Sequence, residues 1–317
     1  MLKILVTGGL GFIGSNFILH VLNNYPKIKI QNIDAEFHGS NKKNILLKNN
    51  LFYQYTKGNI NNQKMIFNLV EKCDAVINFA AESHVDRSIT SPKPFIDSNV
   101  LGVFTILEAV KKFKKKLVQV STDEVFGSLK AGSADEKVRF NPSSPYAASK
   151  AAAEVLINSY IVTYGCNISI TRCTNNYGPR QFPEKLIPKV ILFALENRKI
   201  PVYGTGKNIR DWIFVDDHCE GIMKVLLNGK PGESYNISAN NEVDNMTIIT
   251  KILNIMGKSK DLIQFVSDRP GHDYRYSLDS SKIRRELKWT PTHDFESGLN
   301  STINWYIENK TWWKNLL

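Results

Sequence analysis

Cysteine is scarce in this chain, four among 317 residues, and none of Cys73, Cys166, Cys173 and Cys219 belongs to a C-x-x-C pair. This excludes a disulfide scaffold and a thiolate metal motif, and reads as small buried hydrophobes in a reducing compartment. No metal is expected. No apolar run approaches the roughly 20 residues that cross a bilayer. The first residues, Met1-Leu2-Lys3-Ile4-Leu5-Val6-Thr7-Gly8, read at once as a strand, with no leader ahead of them. A cytoplasmic protein without a membrane partner is therefore expected. Internal repeats and low-complexity tracts are missing too. Acidic residues are fewer than basic ones, 30 against 41, giving a net charge of +11. The clearest basic run, Lys111 to Lys116, ends an apolar stretch of helical spacing and reads as a solvated helix C-terminus, not a nucleic-acid contact. Such a field also attracts anionic substrates, nucleotide diphosphates among them.

What is present is strand–helix alternation. Residues 2–7, 28–34, 75–79, 117–121 and 168–173 are near-continuous apolar runs, as expected of parallel strands buried on both faces. Helical spacing fills 15–23, 62–72, 95–113 and 147–164 between them. The pattern predicts an α/β fold, a doubly wound parallel sheet of Rossmann type with a smaller mixed α/β lobe that binds substrate. Residues 1–177, with 209–229 returning to them, are assigned to the nucleotide-binding domain; 178–208 and 230–317 are assigned to the lobe. Within the lobe, helices are expected over 247–256 and 297–305.

The first strand runs into Gly8-Gly9-Leu10-Gly11-Phe12-Ile13-Gly14. Glycines at a strand-to-helix turn let backbone approach a pyrophosphate, and the helix start offers free N–H groups. Asp34 stands 20 residues after Gly14, at the end of the second strand. A carboxylate there accepts from both ribose hydroxyls and repels a 2′-phosphate, so NAD is expected over NADP. Tyr146 and Lys150 lie four apart on a predicted helix and share a face. A nearby ammonium and a positive nicotinamide ring are expected to lower the tyrosine's pKa towards that of a working base. Thr122-Asp123-Glu124 closes the strand before that helix. Hydride transfer alone needs only the Tyr and Lys. An adjacent acid and base suit an enzyme that also expels water.

Together these features resemble the extended short-chain dehydrogenase/reductases, and within them the nucleoside-diphosphate-glucose 4,6-dehydratases. The resemblance is carried by Ala80-Ala81-Glu82-Ser83-His84-Val85-Asp86-Arg87-Ser88, Ser121-Thr122-Asp123-Glu124-Val125 and Asn175-Asn176-Tyr177-Gly178-Pro179. Phe182-Pro183-Glu184-Lys185-Leu186-Ile187-Pro188, Arg210-Asp211-Trp212, Asp268-Arg269-Pro270-Gly271-His272-Asp273 and Trp312-Trp313-Lys314 extend it over nearly the whole chain. It implies a hydro-lyase that converts dTDP- or UDP-glucose to the 4-keto-6-deoxy sugar, the opening step of rhamnose and other deoxysugar pathways. It also implies a homodimer formed through the long helices at 95–113 and 147–164.

By that resemblance Tyr146 takes the C4 hydroxyl proton, Thr122 hydrogen-bonds the same oxygen, Glu124 removes the C5 proton and Asp123 protonates the departing C6 hydroxyl. NAD is expected at Gly8, Gly11, Phe12, Ile13, Gly14, Asp34, Asn59, Ile60, Ala80, Ala81, Ser98, Ser121, Tyr146, Lys150 and Asn176. The nucleotide sugar is expected at Ser83, Thr122, Asn175, Glu184, Lys185, Leu186, Pro201, Tyr203, Arg210, Asn236, Arg269 and His272. The chain departs from the family at Phe126, usually Tyr; at His38-Gly39-Ser40-Asn41, usually Tyr-Ala-Gly-Asn; at Asn59, usually Asp; and at Arg180-Gln181, usually an aromatic and His. A nucleotide-sugar 4-epimerase would share the glycine turn and the Tyr/Lys pair but lack the Asp-Glu pair. A noncatalytic NAD-binding regulator would usually lose the Tyr or the Lys.

Overall fold

Leu2–Thr7 and Ile28–Asp34, largely buried, form the neighbouring strands β1 and β2, with helix α1 (Phe12–Asn24) between them. The computed structural model describes residues 1–47, 50–314 and 316. The chain continues through β3 (Tyr53–Lys57), α2 (Gln63–Glu71), β4 (Ala75–Asn78), α3 (Val85–Thr90), α4 (Lys93–Ile96), α5 (Gly102–Phe113), β5 (Lys116–Thr122), α6 (Pro145–Tyr164) and β6 (Ile168–Cys173). Then come β7 (Asn175–Tyr177), α7 (Leu186–Leu195), β8 (Ile200–Tyr203), β9 (Ile209–Phe214), α8 (Val215–Asn228), β10 (Ser234–Ile237) and β11 (Glu242–Asp244). The last elements are α9 (Asn245–Ile255), β12 (Ile263–Val266), α10 (Ser281–Leu287), α11 (Phe295–Glu308) and α12 (Lys310–Trp313).

Seven strands pair in the order β10-β6-β5-β4-β1-β2-β3, all parallel. The order reverses between β1 and β4, and a crevice opens beyond the C-terminal ends of those strands. β3 escapes the apolar-run criterion because it is an edge strand, with Gln54 and Lys57 exposed. β10 corrects the division drawn from sequence. It belongs to the main sheet, bonded to β6 with Asn236 opposite Arg172, and α10 packs on it. Four residues are too few to reveal their partner by periodicity.

The helical stretch expected over 95–113 is interrupted. A π turn at Asp97–Leu101 joins α4 to α5, and such turns recur at functional sites. α6 starts sharply because Ser144 Oγ accepts from Ala147 N at 3.1 Å and Pro145 occupies its first turn. Tyr146 therefore sits in that first turn and Lys150 one turn on.

The smaller lobe packs α7, α9, α11 and α12 around Ile187, Ile191, Ile249, Leu299 and Tyr306. Its end is tied back to the sheet domain, where Trp312 Nε1 donates to Asn44 Oδ1 at 2.8 Å. No described helix is long and apolar enough to cross a membrane. Cys73, Cys173 and Cys219 are buried and Cys166 is partly exposed; all four are free thiols.

Candidate active site

A cavity of about 490 Å³ fills the crevice beyond β1, β4 and β5. Its floor is the glycine turn. A Cβ on Gly8 would lie 2.6 Å from Ala80 N, and Gly8 already has a φ of +70°, so neither space nor backbone admits a side chain. A Cβ on Gly14 would lie 2.4 Å from Gly8 O. Gly11 caps α1 with no side-chain hydrogen bond, leaving the first N–H groups of the helix free for an anion.

Asp34 closes the far side of this turn. Its Oδ2 accepts from Leu10 N at 2.9 Å, and its Oδ1 accepts from Glu36 N and Ser40 Oγ, each at 2.8 Å. Spare lone pairs remain for ribose hydroxyls. The lining beside it is Ala35, Phe37, His38, Gly39 and Ser40, with no arginine for a 2′-phosphate. Donor set and shape fit NAD. Every residue expected to hold that cofactor, from Gly8 through Asn176, lines this one cavity. Ser98 does so from the π turn.

Gly14→Ala should therefore weaken NAD binding while leaving the sheet intact. Overpacking of about 1–3 kcal/mol corresponds to roughly 5- to 150-fold in affinity, readable by calorimetric titration.

The reacting groups stand at the end of β5. Thr122 starts a 3-10 turn over Asp123–Phe126; its Oγ1 accepts from Glu124 N at 3.3 Å and donates to Asp123 Oδ1 at 3.1 Å. Asp123 Oδ2 is buried without a partner. Burial, followed by the neighbouring Glu124 charge, pushes the Asp123 carboxyl up to about 8. Burial also raises Glu124, while Arg269, Arg210 and Lys185 draw it back. So Asp123 is a protonated acid at neutral pH, and Glu124 is the carboxyl with cationic support for its ionised form.

Burial and Glu124 raise the Tyr146 phenol well above its usual value, and its hydrogen bond with Thr122 opposes them. Lys150 Nζ donates to Val120 O at 2.7 Å. Burial itself brings the Lys150 ammonium down to about 8.

Of the residues expected at the nucleotide sugar, Ser83, Thr122, Asn175, Glu184 and Lys185 line the cavity. Lys185 Nζ donates to Ser83 O at 3.0 Å, and Glu184 Oε2 lies 2.9 Å from His38 Nε2 and 3.6 Å from His84 Nε2. Tyr203, Arg269 and His272 form an adjoining cluster. Arg269 Nη1 and Tyr203 Oη donate to the two oxygens of Asp86, at 3.0 and 3.2 Å, and the Arg269 Nε is buried and unpartnered. Arg210 lies over the Tyr276 ring and donates to the carbonyls of Ile209, Asp273 and Tyr274.

Three further residues also lie outside the cavity lining. Asn236 is fully buried in β10, where its Nδ2 donates to Ala134 O and braces the sheet. Leu186 packs against the lobe core. Pro201 lies in β8 beside Gln264 and outside the cavity lining.

Two of the departures, Phe126 and Arg180, lie outside the cavity lining, whereas His38, Gly39, Ser40, Asn59 and Gln181 line it. Phe126 is buried against Phe140, outside the cavity lining. Arg180 turns to Asn16 Oδ1 at 3.0 Å and to the Trp305 ring. The sequence analysis assigned no role to Asp86 or Cys173; Asp86 was the more accessible of the two, a carboxylate within residues 80–88.

This geometry defines a nicotinamide-dependent enzyme of the extended short-chain dehydrogenase/reductase class, with two buried carboxyl groups at the β5 end. The family model described as GDP-mannose 4,6 dehydratase matches residues 5–302, and the chain belongs to this 4,6-dehydratase family. Among its relatives is a dTDP-glucose 4,6-dehydratase of Xanthomonas campestris, 44% identical over 99% of this chain and 95% of that one. Another, from Escherichia coli, is 40% identical over 100% and 96%. A crystal structure of DesIV, the dTDP-glucose 4,6-dehydratase of Streptomyces venezuelae, with NAD and TYD bound, superposes with a TM-score of 0.98 at 41% identity and full coverage of both chains.

Proposed function

We propose that this protein is an NAD-dependent hydro-lyase that converts dTDP-glucose to its 4-keto-6-deoxy derivative, the first committed step towards a deoxysugar such as rhamnose. The carrying observation is that Thr122, Asp123, Glu124, Tyr146 and Lys150 line one cavity with the glycine turn, with Asp123 already held as an acid. The choice of dTDP- over UDP-glucose rests on the names of relatives 40–44% identical over nearly their whole length.

NAD, held on Gly8, Gly11, Gly14 and Asp34, supplies the chemistry that lets C4 be oxidised first and C6 reduced last within one turnover. Tyr146 would accept the C4 hydroxyl proton as its phenolate, a form that the positive nicotinamide ring of bound NAD and the Lys150 ammonium would favour against burial, and Thr122 would hydrogen-bond the same oxygen. The C4 ketone makes the C5 hydrogen acidic, because the resulting carbanion is an enolate. Glu124 takes that proton. Asp123 gives its own proton to the C6 hydroxyl, which leaves as water. Glu124 then returns a proton to C5. Arg269, with its spare Nε, and Arg210 would hold the diphosphate, and Tyr203 and His272 would border the base. Parallel assays with dTDP- and UDP-glucose, read by product mass, test the proposal. A product lighter by one water from the dTDP sugar supports it; an unchanged mass would mean epimerisation or no reaction.

A homodimer in the cytoplasm completes the reading. Ala148, Ala152, Val155, Ser159 and Val162 recur at alternating four- and three-residue steps along α6 and are exposed. Val155 is 62% and Val162 78% open, and Leu101 and Phe104 are exposed beside α5. An apolar helix face of this spacing suits the same face of a second copy. Val155→Glu with Val162→Glu should turn a dimer into a monomer by light scattering on a sizing column, whereas a dimer persisting in the double variant would place the interface elsewhere. The four free thiols suit a reducing compartment.

A further inference from the structure

One buried carboxylate next to the site has no part in the acid–base chemistry. Glu154 follows Tyr146 and Lys150 at four-residue steps on α6, so the three share one buried face. It does not line the cavity. Its Oε1 accepts from Ser121 Oγ at 2.5 Å, and its Oε2 accepts from Arg172 Nε at 2.9 Å and Nη2 at 2.7 Å.

Arg172 stands on β6 directly opposite Ser121 on β5. Its remaining donors reach Glu136 O and Ser234 Oγ, each at 3.4 Å, and its guanidinium lies 5.1 and 5.4 Å from the centroids of Phe126 and Phe140. The pair thus ties α6, β5, β6, β10 and the loop after β5 to one point.

That point adjoins the chemistry. Val120 O accepts from Lys150, Ser121 Oγ donates to Glu154, and Thr122 caps the turn carrying Asp123 and Glu124. Two bonds, one helical turn apart, therefore fasten the helix bearing Tyr146 to the strand end bearing the acid and the base. An apolar pair of similar volume would pack as well or better, because a buried ion pair carries a desolvation cost. Packing alone does not call for these residues.

We propose that Glu154 and Arg172 are positioning residues, which set the reactive end of β5 against α6 and place a negative charge beside Lys150. Of the ionisable groups facing Lys150, Glu154 favours its charged form most, with Cys173 at the end of β6 adding to it. Tyr146 and Asp123 share its cavity. The proposal rests on the roles given above to Tyr146 and Lys150, but part of its test is independent of substrate.

The test uses the full-length protein as Glu154→Gln and as Glu154→Gln with Arg172→Met, which leaves no unpaired buried charge. The pH midpoint for acylation of Lys150, read by mass spectrometry, should fall by about one unit in both, a tenfold loss of proton affinity. The single-turnover rate of C4 oxidation should fall about tenfold with KM within about twofold. Glu154→Asp, which keeps the charge, should restore the midpoint. Folded variants with an unmoved Lys150 midpoint and a wild-type oxidation rate would overturn the proposal. So would failure of the double variant to fold, which would make the pair a folding element. The acylation midpoint reads the Glu154–Lys150 coupling even if dTDP-glucose is not the substrate, so the two readings can fail separately.

Discussion

Glu124→Gln should oxidise dTDP-glucose at C4 and go no further. The amide keeps the shape of the side chain at the cavity wall and loses only the ability to take a proton. A positioned general base contributes about 10²- to 10⁴-fold, so formation of the 4-keto-6-deoxy product should fall by that factor. The step before it should survive, because Tyr146 and Lys150 are untouched. Quenched-flow mass analysis separates the two steps, with the 4-keto glucose intermediate accumulating in the variant. Wild-type dehydration by Glu124→Gln would remove the base from Glu124. Loss of C4 oxidation as well would make Glu124 a structural residue of the turn.

Asp123→Asn should produce the complementary failure and a gain in stability. Asp123 titrates at about 8 because it is buried and faces Glu124. The acid form is the active one, and it disappears as pH rises through that value. Wild-type dehydration should therefore decline above about pH 8. The limb on the acid side is set by Glu124, which must be ionised and which burial raises above the ordinary carboxylate range. The asparagine variant cannot donate the proton, so water loss should fall about 10²- to 10⁴-fold.

Stability follows the opposite course. The folded value lies above the ordinary 3.8, so the native state holds a proton that the unfolded chain releases. The stabilising contribution is complete below about pH 4 and is lost progressively as pH rises towards 8. Asp123→Asn has no such loss. It should melt at a higher temperature than wild type at pH 8, and the gap should close towards pH 4. A variant less stable than wild type at pH 8 would contradict the buried carboxyl, with Oδ2 unpartnered, on which the acid assignment stands.

Much of this was legible in the sequence where residues carry their reason locally. Leu2–Thr7 and Ile168–Cys173 carry hydrophobic runs that mark strands of the sheet interior, and Ile168–Cys173 is buried on both faces. The glycines from Gly8 to Gly14 gather where the chain has no room for side chains. Asp34, Tyr146 and Lys150 stand at spacings that a turn and a helix enforce. What sequence could not supply was registry between distant segments. Tyr53–Lys57 alternates because it lies at the sheet edge, and Ser234–Ile237 is too short to announce its pairing with β6. Asn236 was consequently misplaced into the lobe, although it is a buried brace for Ala134. The direction of Lys150 was also hidden. Its spacing from Tyr146 is fixed by the helix, but its ammonium goes to Val120 O, and a strand carbonyl cannot be read from a Tyr-x-x-x-Lys pattern. The environment of the two carboxyls depends in the same way on burial and on Arg210 and Arg269, which come from far along the chain.

The central claim is that Asp123 and Glu124 convert a hydride-transfer site into one that eliminates water across C5 and C6. Its most direct measurement is the reaction of the wild-type protein with dTDP-glucose in deuterated water, followed by mass spectrometry and NMR of the sugar. Once the hydroxyl positions are back-exchanged, the account predicts a product that has lost one water, has a methyl group at C6 and carries one deuteron at C5 where the Glu124 proton exchanges with solvent before its return. A product that has lost no water, or a dehydrated product with no methyl group at C6, would contradict it.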